Sequence, residues 1–105
     1  AAELAAIVAG VMDGTVGEDA GYDIAEQVTR RENGFSVFFD LLCDAISDRT
    51  RNLALRTEQG REGDPHPARL ALLWQDMVRL RAETEQFNLD KQQALLTALA
   101  RVSGI

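Results

Sequence analysis

Three aspartates recur at four-residue intervals, Asp40, Asp44 and Asp48, and carboxylates at regular spacing are the first candidates for chemistry in this chain. Carboxylate oxygens can hold divalent cations. A helix rises about 1.5 Å per residue, however, so the three span about 12 Å along one axis, too far to share one ion. Carboxylate metal sites in helical bundles also draw Glu and His from several helices. The chain has one histidine, so we predict no metal site.

The simplest interpretation of these aspartates is a solvated acidic face. Arg49, Arg51 or a neighbouring helix would partly neutralise it. The alternative is that Asp40, Asp44 and Asp48 form a stripe on which a basic partner docks.

The other reactive side chains are isolated. His66 stands between Pro65 and Pro67 in a polar segment, and a catalytic base there would need an oriented partner, so we predict an exposed loop residue. Cys43 adjoins an apolar stripe without a cation four residues away, which favours a small buried side chain. Neither G-x-x-x-x-G-K-[ST] nor G-x-G-x-x-G occurs. We therefore expect no cofactor and no catalytic residue.

The elements that position these residues are predicted from apolar spacing at a period of 3.6. No segment alternates with the period of a strand. The sequence predicts an all-α bundle of about five helices, near residues 2–13, 18–32, 34–57, 67–86 and 88–103. The polar segment 57–67 is predicted to be an exposed loop. Asn88 is the predicted N-cap of the fifth helix, with Asp90 in its first turn.

The third helix is strongly apolar over its first half and should be central to the core. We predict that Phe39, Leu42, Trp74 and Leu96 are buried, because each lies within the apolar stripe of its helix, and we place Met77 in the core as well.

Some apolar residues exceed what one helix face needs. Three phenylalanines fall within five residues of the third helix, so some are candidates to meet another subunit. The candidate interface is Asp40, Asp44, Asp48, Phe35 and Phe38.

Length and charge restrict the function further. With 105 residues, we expect a single domain spanning 1–105. The net charge of -6 argues against direct contact with nucleic acid or an anionic membrane. A single cysteine suits a reducing compartment, and no apolar run is long enough to span a bilayer, so we expect a cytoplasmic protein. The chain does not begin with Met, and we expect it to be part of a longer protein.

The last third of the chain carries a resemblance to a known family. In residues 70–99, LALLWQDMVRLRAETEQFNLDKQQALLTAL, a helix with Trp74 is followed by a break at Phe87-Asn88 and a second helix opening Leu89-Asp90-Lys91. This order resembles the C-terminal end of the delta-prime subunits of the bacterial DNA polymerase III clamp loader. The segments GFSVFFDLLCDAIS and YDIAEQVTRRE extend the resemblance to roughly residues 4–103.

The resemblance implies a fold and a role. In delta-prime subunits, two N-terminal AAA+-type domains precede an all-helical domain that packs with those of the other subunits into a circular collar. This chain would be such a collar domain, the C-terminal part of a longer AAA+-type subunit of the DNA polymerase III holoenzyme, a nucleotidyltransferase. It would be non-catalytic, with delta and tau/gamma-type subunits as partners in loading the sliding clamp. The alternative is a helical interaction or adaptor domain unrelated to replication.

Overall fold

The chain folds into five α-helices, in a computed structural model that describes residues 2–14, 20–55 and 67–103. They are α1 (Ala2–Asp13), α2 (Gly21–Arg30), α3 (Gly34–Leu55), α4 (Pro67–Gln86) and α5 (Lys91–Ser103). No strand occurs within these ranges. The predicted all-α bundle of five helices is confirmed, and the bounds of α1 and α4 agree with the prediction.

Helix α3 is the centre of the bundle. It packs against α4, α1 and α2, while α5 packs against α2, α4 and α1. Its side chains Phe38, Phe39, Leu42 and Ile46 are fully buried. Residues from the other four helices surround them, including Leu4, Val8, Ile24, Val28, Leu70, Met77, Leu95 and Ala98. The burial of Phe39, Leu42 and Met77 was predicted from spacing and is confirmed, whereas Leu96 is only partly buried.

A close backbone approach sets the start of α3. Asn33 has a left-handed φ of 58°, and the N–H of Gly34 donates to the carbonyl of Arg31 at 3.0 Å. A Cβ atom on Gly34 would lie 2.0 Å from the carbonyl oxygen of Val28. Only glycine fits here, and this tight turn presents Phe35 and the residues after it to the core.

The junction between α4 and α5 corrects one prediction. Asn88 is not the N-cap of α5: it takes a left-handed φ of 51°, and the N–H of Leu89 donates to the carbonyl of Thr84 at 3.0 Å. Asn88 therefore ends α4, in the position where glycine or asparagine is favoured. The cap of α5 is Asp90, whose Oδ1 accepts from the N–H groups of Gln92 and Gln93 at 2.9 and 3.2 Å.

Polar contacts tie the helices to one another. Arg49 of α3 donates to the carbonyl of Met12 at 2.8 Å, at the end of α1, with Asp13 3.4 Å away. Arg101 of α5 pairs with Asp76 of α4 at 3.1 Å. In the part of the chain that the structure describes, no helix is long and apolar enough to cross a membrane.

Candidate functional site

The three aspartates of α3 do not act as a unit. Each four-residue step advances about 40° around the helix, so they drift from the α4 side towards the α1 side. Asp40 pairs with Arg81 of α4, and this hydrogen bond is the chief cause that raises the pKa of Arg81. Asp48 pairs with Arg51. Among the described residues, Asp44 has no ion-pair partner.

The acidic face is therefore partly neutralised, as predicted, by Arg51 and by a neighbouring helix. Arg49 takes no part, since its guanidinium is directed to the end of α1. Within the described ranges no group of three or more His, Cys, Asp or Glu side chains is placed to hold a metal ion.

The two phenylalanines proposed as interface residues are buried in the domain itself. Phe35 is 4% exposed and Phe38 is fully buried. The ring of Phe35 lies 4.8 Å from that of Phe39, and the ammonium of Lys91 lies 5.8 Å from its centroid. Because α3 has helices on several sides, all three phenylalanines find neighbours within the chain. Phe35 and Phe38 thus offer little surface to a partner.

Trp74, by contrast, was predicted to be buried, and this prediction is wrong. Its side chain is 40% exposed, and Val78, one turn further along, is 41% exposed. Ser36 contacts Glu85 and Asp40 contacts Arg81, so later residues of α3 meet earlier residues of α4 and the two helices run antiparallel. Trp74 lies at the edge of the buried stripe of α4, about 40° around the helix from Leu70 and about 60° from Met77, so the bundle covers only part of its indole.

Trp74 and Val78 belong to a wider apolar surface on α4. Ala71 and Ala82 are also exposed, and the spacing of three, four and four residues puts all four side chains on one stripe. We call Ala71, Trp74, Val78 and Ala82 the Trp74 face. Leu72 is 61% exposed but lies about 160° around the helix from Trp74, outside this stripe.

Cys43 lies near the seam between α3 and α4 and is half-buried. Burial raises the pKa of its thiol, and the charges of Asp40 and Asp44 act in the same direction. The guanidinium of Arg81 opposes them, without reversing the shift. That cation comes from α4, so spacing along α3 could not reveal it. The thiol is protonated and weakly nucleophilic at neutral pH.

An open groove of about 720 Å³ lies along the seam between α1 and α3. Its walls are mainly apolar, with Ala5 and Ala9 on the α1 side and Leu41 and Ala45 on the α3 side. Polar residues complete the lining: Asp44, Asp48, Arg49 and Asn52. We call it the α1–α3 groove. The predicted loop residue His66 lies outside the described residues, as do 57–65.

Comparison with protein-family models, with curated proteins and with solved structures gives no match.

Proposed function

We propose that this chain is a non-catalytic scaffold domain that joins protein subunits through the Trp74 face. The observation that carries the proposal is the exposure of Trp74 and Val78, one turn apart on α4 and beside the buried stripe that contains Leu70 and Met77. Tryptophan combines a large apolar area with little conformational entropy, and it is enriched where protein interfaces hold most of their binding energy.

The shape of the Trp74 face suits helix packing. Ala71 and Ala82 stand at its two ends, so a partner helix could approach the backbone of α4 closely while Trp74 inserts between its side chains. Arg81, at the border, is already paired with Asp40 and Glu85. A partner would therefore bury the apolar stripe without having to desolvate an unpaired guanidinium at Arg81.

The partners we propose are those implied by the resemblance of residues 70–99 to delta-prime subunits. In that role the domain occupies a place in the clamp-loader collar between delta and tau/gamma-type subunits, in the cytoplasm, and holds the ATPase subunits in register. It needs no cofactor. A helical adaptor that binds a partner unrelated to replication would use the same face, and it remains the second candidate.

We propose no direct role in binding DNA. The described arginines are largely engaged with acidic side chains, as in Arg30–Glu26, Arg31–Glu3 and Arg101–Asp76, and the chain carries a net charge of -6. We expect primed or duplex DNA to bind no more tightly than about 10⁻⁴ M at physiological salt. Micromolar binding in a gel-shift assay would require a basic surface and would contradict the scaffold role.

The test is to mix the domain with the collar domains of delta and tau/gamma-type subunits and to look for co-elution by size-exclusion chromatography with light scattering. We expect a heteromeric complex at concentrations of tens of micromolar. Trp74→Glu should abolish it, since a carboxylate cannot enter an apolar contact unpaired. Leu72→Glu is the matched control, because it adds the same charge to the same helix at another exposed apolar residue.

The two candidate functions give different results in this test. If the folded domain does not join these partners, the collar assignment is wrong and the adaptor becomes the better candidate. If a complex forms and Trp74→Glu leaves it intact, the Trp74 face is not the interface.

A further inference from the structure

The outer side of α1 is unusual for a helix at the edge of a bundle. Glu3 and Asp13, near its two ends, are the only polar side chains in Ala2–Asp13. A helix that is apolar all round is normally covered on every side. Helix α1 packs mainly against α3 and α5, and Ala5, Ala6 and Ala9 are exposed. The helix therefore has the composition of a covered element and, in the described residues, an open side.

The α1–α3 groove runs along this open side. Ala5 and Ala9 on α1 are one turn apart, and Ala45 faces them from α3. Side chains this small let another helix approach at the separation of about 8–10 Å that packed helices adopt. The mainly apolar lining fits the apolar face of an amphipathic helix, a common mode of peptide recognition.

The charges at the groove select the kind of helix. The guanidinium of Arg49 donates to the carbonyl of Met12 and pairs with Asp13. Arg51 pairs with Asp48. Asp44 has no ion pair among the described residues, so the middle of the groove carries an uncompensated negative charge. A second copy of the chain is disfavoured, because each copy carries a net charge of -6.

We infer that the α1–α3 groove binds an amphipathic helix of a partner protein, with its apolar face on Ala5, Ala9 and Ala45 and a Lys or Arg beside Asp44. This surface lies on α1 and α3, whereas the Trp74 face lies on α4, so the inference does not rest on the proposed function. It gives the domain a second site, specific for basic rather than acidic helices.

The probe is a synthetic helical peptide of about 18 residues, with Leu and Ala on one face and Lys along both borders. We expect saturable binding by fluorescence anisotropy with a Kd of about 10–100 µM, weakened by added salt. A peptide with Glu in place of every Lys should bind at least about 10-fold more weakly. Amide shifts in NMR spectra should map to α1 and α3.

Two variants locate the site, and each has a matched control. Ala9→Arg fills the groove, and Ala100→Arg makes the same change at an exposed alanine of α5 outside the groove lining. Asp44→Lys reverses the unpaired charge, and Glu83→Lys does the same at an exposed residue of α4. We expect Ala9→Arg and Asp44→Lys each to weaken binding by about 10-fold or more, and the controls by less than about 2-fold. All four residues are exposed, so the variants should fold.

Three results would overturn the inference. The first is no saturable binding of the basic peptide to the folded domain. The second is equal binding by Asp44→Lys and Glu83→Lys, or amide shifts confined to α4. The third is a dimer of the unbound domain that Ala9→Arg dissociates, which would assign the groove to a second copy of the chain.

Discussion

The aromatic residues of α3 and the tryptophan of α4 are alike in sequence context and opposite in structure. Both stand in apolar stripes at helical spacing, yet Phe38 and Phe39 are fully buried while Trp74 is 40% exposed. The difference lies in their neighbours. Helix α3 is packed by α1, α2 and α4, whereas the outer side of α4 has no described helix over it. An apolar stripe thus predicts a helix face, without showing how much of that face the rest of the chain covers.

Truncation should separate these two aromatic groups most strongly. Phe39→Ala would leave a cavity at the centre of the bundle and should cost about 3–5 kcal/mol. Trp74→Ala removes a side chain that solvent already reaches, and we expect about 1–2 kcal/mol from its buried part. Urea unfolding followed by circular dichroism measures both. Equal losses would mean that Trp74 is a core residue and would remove the basis of the comparison.

The next largest change in the free energy of unfolding is expected at Gly34, in the turn that precedes α3 and its phenylalanines. Gly34→Ala would place a Cβ against the carbonyl oxygen of Val28, and the forced shift at the start of α3 should cost about 1–3 kcal/mol. Gly21→Ala is the control, because its Cβ would meet Leu96 at an ordinary 3.5 Å. We expect that variant to be neutral or slightly more stable. A tolerated Gly34→Ala would show that α3 begins differently.

The smallest effect is expected at Cys43, near the seam between α3 and α4. Folding raises the pKa of this thiol, chiefly through burial. The folded state therefore disfavours the thiolate: stability is retained below the ordinary thiol pKa and declines as pH rises through it. Between about pH 7 and about pH 9.5, the free energy of unfolding should fall more for the parent chain than for Cys43→Ala. Identical pH profiles would place the thiol in solvent.

Sequence patterns predicted the positions of the helices better than they predicted which residues of different helices pack together. Five helices follow from period and punctuation, because those signals are local. Asn88 was misassigned since asparagine serves equally at the start of a helix and in the left-handed turn that ends one; the hydrogen bonds of Leu89 and Asp90 decide between these roles.

The candidate site depended on information that spacing along one helix does not contain. The pairing of Asp40 with Arg81 joins residues 41 positions apart. The exposure of Trp74 depends on which sides of α4 other helices cover, and the burial of Phe35 and Phe38 on the helices that lie on several sides of α3. The one available signal was the apolar composition of α1, which exceeds what a helix at the edge of a small bundle requires.

The most direct test of the central claim uses Trp74 itself, since it is the only tryptophan in the chain. In the isolated domain its fluorescence should be quenched readily by acrylamide, as expected of a half-exposed indole. With delta and tau/gamma-type collar domains that lack tryptophan, its emission should shift to shorter wavelength and become protected from the quencher. A co-eluting complex in which emission and quenching of Trp74 are unchanged would contradict the assignment of the Trp74 face as the interface.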